Sequence, residues 1–416
     1  MAFSFGGGSG WGLTFFRLKL SDFPSIRDFA IAHRNADVRQ LLLQKNHPPG
    51  FPIKEAALQI QARQKAEAKL PAWFANQNIC YPSLLSLEQC SSATTANFKA
   101  NLLQGDTIVD LTGGMGVDAA AFSARFREVI YLERNADLQE ITAHNLAQLG
   151  VANVQCINAD SVQWLRQYTG KADWVYLDPA RRGTTGGKVV GLQECEPEVL
   201  ALKKILFRKA RNILLKASPM LDIDLAVSQL ENVRRVYVVA VENEVKELLF
   251  HLDESATGPP EIVSVNLPKP PHPVQEFSFD REHESAADVR FSVPQQFLYE
   301  PNAAVLKAGA FRSVAAAFGV EKLHPNSHLY TSGALIPGFP GRSFIVLATL
   351  KLDKKQLEPW LPEGKANIAV RNFPMTVAQI RQQTGLKDGG DKYLFATTDL
   401  QKRRIVLVCE KAGSDT

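Results

Sequence analysis

The stretch Thr107-Ile-Val-Asp110-Leu-Thr-Gly113-Gly114-Met-Gly116-Val-Asp118 decides how the rest of the chain is read. A short apolar run ends in a carboxylate, three glycines fall within four positions, and a helical pattern follows. Glycine permits positive φ and lets a backbone approach a ligand closely. The helix behind such a loop presents N–H groups with no intrahelical partner. The same pattern suits a plain glycine-rich turn between strand and helix, so the loop alone leaves two readings open.

Working outward, short apolar runs recur at 107–111, 128–132, 153–157, 173–178, 212–216 and 234–241. Helical patterns fill 117–126, 137–149, 160–168, 196–210 and 221–230. This alternation predicts βαβ units and a parallel sheet covered on both faces. After the sixth run no helix intervenes: Val236–Val241 passes through Glu242-Asn243-Glu244 into Glu247–Leu252. That predicts an antiparallel hairpin ending an otherwise parallel sheet. Acidic residues close the predicted strands. Asp110 ends the first and Glu133 the second, about 20 positions past the loop, where a carboxylate suits a ribose diol. Asp160 follows the third, placed either to accept from an adenine amino group or to cap the next helix. Asp178 ends the fourth, in Asp178-Pro179-Ala180-Arg181-Arg182, at the strand end where α/β sheets bind ligands.

Residues 1–95 read as a helical domain, with runs at Ile26–Leu43 and Ile53–Leu70 broken by His47-Pro48-Pro49-Gly50. The α/β domain spans 96–265, and a Pro-rich stretch at 267–273 marks its end. Small α+β modules are expected at 274–345, with one helix over Asn302–Phe318, and at 346–413. The 416 residues carry a net charge of +4, distributed as +4 over 1–95, −3 over 96–255, −1 over 256–350 and +4 over 351–416. An acidic centre is flanked by two basic ends. At 45% hydrophobic and 22% charged residues, the composition excludes a largely disordered chain. Five cysteines without a CxxC speak against a disulfide framework or a zinc site. His324 and His328 stand four apart, but Pro325 and Asn326 interrupt a helix there, so no metal site is expected. The sequence has neither an apolar run long enough for a membrane span nor a recognisable secretory signal, which fits a reducing cytoplasm.

The glycine loop, the acidic ends of strands one and two, Asp160, the Asp178-Pro179 step and the terminal hairpin together resemble the class I S-adenosylmethionine-dependent methyltransferases. The nearest rival, a nicotinamide-dinucleotide Rossmann protein, would show G-x-G-x-x-G, whereas this loop reads G-G-x-G. A closer resemblance is to a bacterial subgroup with a ferredoxin-like module and a C-terminal THUMP-like domain. It rests on Glu88-Gln-Cys90-Ser91-Ser92 leading to Lys99-Ala100, Lys216-Ala-Ser-Pro219-Met-Leu-Asp222, Glu242-Asn-Glu-Val-Lys-Glu-Leu248, Tyr299-Glu-Pro-Asn302, Arg371-Asn-Phe-Pro374 and Gly389-Gly390. It implies a Rossmann-like seven-stranded α/β sheet with a terminal antiparallel hairpin. An N-terminal helical domain and small C-terminal α+β modules would complete the chain.

The resemblance also implies roles. S-adenosyl-L-methionine is the cofactor, with Asp110, Gly113, Gly114 and Gly116 at its methionine end, Glu133 on the ribose and Asp160 on the adenine edge. Asp178 and the Pro179 carbonyl would orient the nucleophile. Amino-directed members carry an aromatic after Asp-Pro-Pro, and here Ala180 and Arg181 take those last two places. Arg181 and Arg182 would hold substrate phosphate or stack on a base, or else pair with structural carboxylates. Asn243 is either a substrate contact or part of a charged turn. THUMP domains elsewhere are linked to RNA, which points to tRNA or rRNA as partner and substrate. A protein or small-molecule substrate, or a non-catalytic RNA-binding scaffold, remain the alternatives.

Overall fold

The computed structural model describes residues 20–44, 47–181 and 191–413. They form two compact units. The first holds the chain to Asp178 with Lys204–Arg211, and the second holds Pro179–Lys203 with everything from Asn212 onward.

In the first unit, the predicted run Ile26–Leu43 resolves into two helices, Phe23–Ala32 and Val38–Leu43. Asp37 caps the second by accepting from the Arg39 and Gln40 N–H groups, an N-cap that stops the two from merging. The Ala- and Gln-rich helix Ile53–Lys69 buries Ala56, Gln59, Ile60 and Ala66 at helical spacing. The buried Gln59 amide exchanges two hydrogen bonds with the Tyr81 backbone, at 2.7 and 3.0 Å. Shorter helices follow at Pro71–Ala75, Leu84–Gln89 and Ala93–Leu102. Next come β1 (Thr107–Asp110), β2 (Glu128–Glu133), β3 (Val154–Asn158) and β4 (Ala172–Leu177). They pair in parallel in the order β4-β1-β2-β3. Ala62, Ala66, Leu70, Trp73 and Tyr81 share one buried cluster with Met115 and Val117. The N-terminal helices therefore pack directly on the glycine loop.

The second unit opens with a short antiparallel pair, β5 (Ala180–Arg181) and β6 (Cys195–Glu196). Its first sheet contains β7 (Ala210–Ala217), β8 (Val233–Val241), β9 (Glu244–Asp253), β10 (Glu261–Leu267) and β11 (Gln275–Phe279), ordered β11-β10-β8-β9-β7. The expected hairpin is β8–β9. Its two turn residues, Glu242 and Asn243, have φ of 51° and 66°, the conformation of a type I′ turn. The sheet continues past this hairpin, because β10 adds in parallel to β8 and β11 pairs antiparallel with β10. Ser264 and Asn266 disguise β10 as a polar stretch. Both are buried, and their side chains bond the Phe277 carbonyl (2.9 Å) and the Gln275 side chain (3.1 Å).

A separate sheet follows, containing β12 (Phe297–Pro301), β13 (Glu321–Lys322), β14 (Tyr330–Ser332), β15 (Gly341–Leu350), β16 (Asn367–Arg371), β17 (Lys392–Thr398) and β18 (Arg404–Lys411). Its order is β13-β14-β12-β15-β18-β17-β16, with only β16–β17 parallel among the pairs of this sheet. The helix expected over Asn302–Phe318 is two, Ala303–Ala308 and Ser313–Phe318. Gly309, at φ 79°, ends the first in the left-handed conformation that favours glycine. The helix Val377–Thr384 is started by a capping box between Thr376 and Gln379.

Candidate functional site

The three glycines of the first βα turn do different work. A Cβ on Gly113 would stand 2.1 Å from the Tyr131 ring, and one on Gly116 2.5 Å from the Thr142 methyl. These two are glycines because neighbouring side chains fill the space. The Tyr131 and Thr142 hydroxyls then donate to the Gly114 carbonyl, at 2.6 and 3.0 Å, and fix the loop. Gly114 itself, at φ 53°, has only the Thr112 carbonyl within 4 Å of its ideal Cβ position, at 3.9 Å. It leaves backbone open to close approach.

The carboxylates gather around this loop. Asp110 is 1% exposed, and burial raises its pKa to about 8. The Thr112 N–H, at 3.0 Å, partly opposes that rise, while the neighbouring charges of Asp118, Asp178 and Glu133 add to it. Thr112 also accepts the Asp178 N–H through Oγ1 at 2.7 Å. One threonine thus holds the acidic end of β1 to Asp178, the residue that follows β4. The Glu133 side chain accepts the Gly114 N–H at 3.1 Å through Oε2 and the Asn135 N–H at 2.8 Å through Oε1. A carboxylate has about four lone-pair sites, so each oxygen retains capacity for a hydroxyl donor. Asp160 is exposed and caps the helix Ser161–Gln167, accepting the Gln163 N–H at 2.8 Å.

Behind the loop lies a buried ionic network. Lys99, with its side chain 0% exposed, sits 3.2 Å from Asp118 Oδ1 and donates to Ser91 Oγ at 2.9 Å. Asp118 Oδ2 accepts from Ser91 at 2.8 Å and from the Tyr176 hydroxyl at 2.9 Å. Asp118 lies in the first turn of the helix leaving the glycine loop, and Tyr176 pairs in register with Asp110. The network therefore ties the Ser91–Lys99 segment to both the loop and β4, the strand that leads into Asp178.

The structure brings Asp110, Gly113, Gly114, Gly116, Glu133 and Asp178 together and places Asp160 at the end of the adjoining β3. Pro179 opens the second unit. The backbone of Arg181 lies in β5, while its side chain and all of Arg182 lie outside the described residues. Asn243 accepts the Ala303 N–H at 2.7 Å and donates its own N–H to Asn266 at 2.8 Å, so its described contacts hold the hairpin turn. His328 stacks on Phe311 with ring centroids 3.7 Å apart. The Cys90 thiol donates to the Leu87 carbonyl at 3.2 Å. Sequence reading missed Thr112, Tyr131, Thr142 and Tyr176, whose roles depend on contacts across strands. It quoted Ser91, Lys99 and Asp118 without assigning them work.

The donor set fits a cationic, ribose-bearing cofactor. A cation beside the buried Asp110 would favour its ionised form, an open glycine backbone adjoins it, and a carboxylate with spare lone pairs ends the next strand.

Comparison with known proteins agrees with this geometry. Residues 297–340 match a ferredoxin-like domain model and 341–411 a THUMP domain-like model. A crystal structure of a methyltransferase-like protein from Porphyromonas gingivalis W83 superposes with a TM-score of 0.86 at 33% identity, covering 95% of this chain and all of that one. An uncharacterised S-adenosylmethionine-dependent methyltransferase of Mycobacterium tuberculosis H37Rv is 25% identical over 311 residues, 73% of this chain and 80% of that protein. An uncharacterised RNA methyltransferase of Mycoplasma mobile is 33% identical over 78 residues, 19% of this chain and 22% of that protein.

Proposed function

We propose that this chain, which belongs to the S-adenosylmethionine-dependent methyltransferases with C-terminal ferredoxin-like and THUMP-like domains, methylates structured RNA, tRNA or rRNA. The observation that carries the reading is the Asp110–Thr112–Asp178 link. It joins a carboxylate suited to a cationic cofactor to one suited to a nucleophile.

The cofactor supplies an electrophilic methyl group on a sulfonium. With that cofactor bound, the chain's work would be to orient the nucleophile toward the methyl. Asp110 receives the ammonium of the methionine end, which favours its ionised form. The loop Gly113, Gly114, Gly116 admits that end at close range. Glu133 accepts the ribose hydroxyls, and Asp160 accepts from the adenine edge while capping its helix. Asp178, its backbone pinned by Thr112, accepts a hydrogen from the nucleophile together with the Pro179 carbonyl, aiming a lone pair at the methyl. Arg181 and Arg182 follow at once in sequence, where guanidinium groups suit a phosphate or a base face. Within this scheme 96–265 is the catalytic domain, and 1–95, 274–345 and 346–413 are accessory.

RNA is favoured by the THUMP-like match at 341–411, the RNA methyltransferase name of the Mycoplasma mobile relative, and basic ends around an acidic centre. Mass spectrometry of nucleosides from total tRNA and rRNA, with and without the gene, tests it. One methylated nucleoside should vanish in the deletion and return on complementation. Identical nucleoside profiles would remove RNA as the substrate.

A further inference from the structure

Glu300 lies on β12 and is 3% exposed, so an ionised carboxylate there requires cationic partners. It has two. Arg342, directly opposite on β15, donates to Oε2 from Nη2 and from Nε at 3.1 Å. Arg371, at the end of β16, reaches Oε1 from Nη2 at 2.8 Å. One arginine would neutralise the acid, and the second leaves the trio net positive. Both side chains stay partly open to solvent, at 42% and 36%. The Arg342 guanidinium also lies 5.5 Å from the Phe344 ring centre and 5.7 Å from that of Tyr393.

Glu300 Oε1 meets Arg371 only as an ion pair and, among the described residues, is one of three buried polar atoms here without a hydrogen-bond partner. Arg371 Nε is buried without a hydrogen-bond partner, and so is His328 Nδ1. His328 is held at φ 49°, in the left-handed region, and feels the charges of Lys322 and Arg371. Lys322, 3% exposed, adds a further cation and donates to the Pro325 carbonyl at 2.9 Å. The nearby acid Glu284 is engaged by the N–H groups of Phe311, Arg312 and Ser313, at 2.9, 2.8 and 2.8 Å.

We propose that Arg342 and Arg371, set by the buried Glu300, form a clamp for the phosphodiester backbone of RNA on the C-terminal sheet. The proposal rests on the RNA reading above and names where that RNA docks. Glu300 takes the Nε/Nη2 edge of Arg342, and Arg371 pairs with Glu300 through Nη2 and gives one Nη1 hydrogen to the Val370 carbonyl, so the remaining terminal Nη hydrogens of each guanidinium would meet phosphate oxygens, and holding both side chains beforehand reduces the entropy lost on binding. The +4 charge of residues 351–416 provides the matching field.

The test is fluorescence anisotropy of labelled, unfractionated bacterial tRNA with the full chain between 50 and 300 mM salt. The variant is Glu300→Gln/Arg342→Gln/Arg371→Gln, which removes the buried acid with its partners and so leaves no orphan charge. Its affinity should fall at least about tenfold, and the slope of log K against log salt should lessen by about 1.4–1.8, for two phosphate contacts. Thermal unfolding and S-adenosylmethionine affinity report whether the variant is folded. Should it fail to fold, Arg342→Lys/Arg371→Lys keeps the charge and loses the forks, and tRNA affinity should still drop severalfold. Unchanged affinity and slope in a folded variant overturn the clamp and leave the RNA reading standing. A wild-type chain that binds neither this tRNA nor purified ribosomal RNA overturns both. Polyglutamate competing as well as tRNA, at equal charge, would reassign the clamp to acidic protein segments.

Discussion

Asp110→Asn should separate stability from function at the cofactor carboxylate. In the folded chain without cofactor, burial raises the Asp110 pKa to about 8. In the unfolded chain it titrates near 3.9. Between those values the folded state holds a proton that the unfolded state has lost, so stability falls as pH rises. The slope is about 1.4 kcal/mol per pH unit, or about 4 kcal/mol from pH 5 to pH 8. Asparagine keeps the shape and removes the titration. The stability difference between wild type and variant, from urea denaturation at each pH, should therefore shift by about that amount in the variant's favour. Affinity for S-adenosylmethionine should move the other way: weaker in the variant, and improving with pH only in the wild type. Parallel stability curves across pH 5–8 would refute the assignment of a buried, protonated Asp110.

Three further outcomes are expected. Glu133→Ala should weaken S-adenosylmethionine binding at least about tenfold by calorimetry, because a hydroxyl pair loses a charged acceptor worth about 1.5–3 kcal/mol. Lys99→Met should destabilise the chain by about 3–5 kcal/mol, since Asp118 then stays buried without its cation, and adding Asp118→Asn should recover part of the loss in the same denaturation assay. Gly113→Ala should cost about 1–3 kcal/mol by pushing its methyl into the Tyr131 ring, and Gly114→Ala, at φ 53°, should combine a left-handed backbone strain of about 1–2 kcal/mol with weaker cofactor binding.

The α/β core was legible because strand ends, glycines and carboxylates fall in a fixed order along the chain. Asp110, Glu133 and Asp178 each end or directly follow a strand, and strand ends are readable from apolar runs. Lys99 was not legible as a buried ion, because burial of a lysine depends on Asp118 and Ser91 meeting it in space. The strand β10 was hidden by Ser264 and Asn266, polar residues whose partners lie on another strand. The split of 302–318 into two helices followed from Gly309, which periodicity alone overlooks. Asn243 shows a different limit: its amide serves a turn and a helix start 60 residues apart, a contact that sequence spacing does not reveal.

The central claim is methyl transfer to RNA from a cofactor held at the ends of β1 and β2, with Asp178 orienting the nucleophile. Its most direct measurement is incorporation of the labelled methyl of S-adenosylmethionine into tRNA and rRNA from a deletion strain. Wild-type chain should label one RNA class, and Asp178→Ala should label none while binding S-adenosylmethionine with wild-type affinity. No label from the wild type, or undiminished label from Asp178→Ala, would contradict the account.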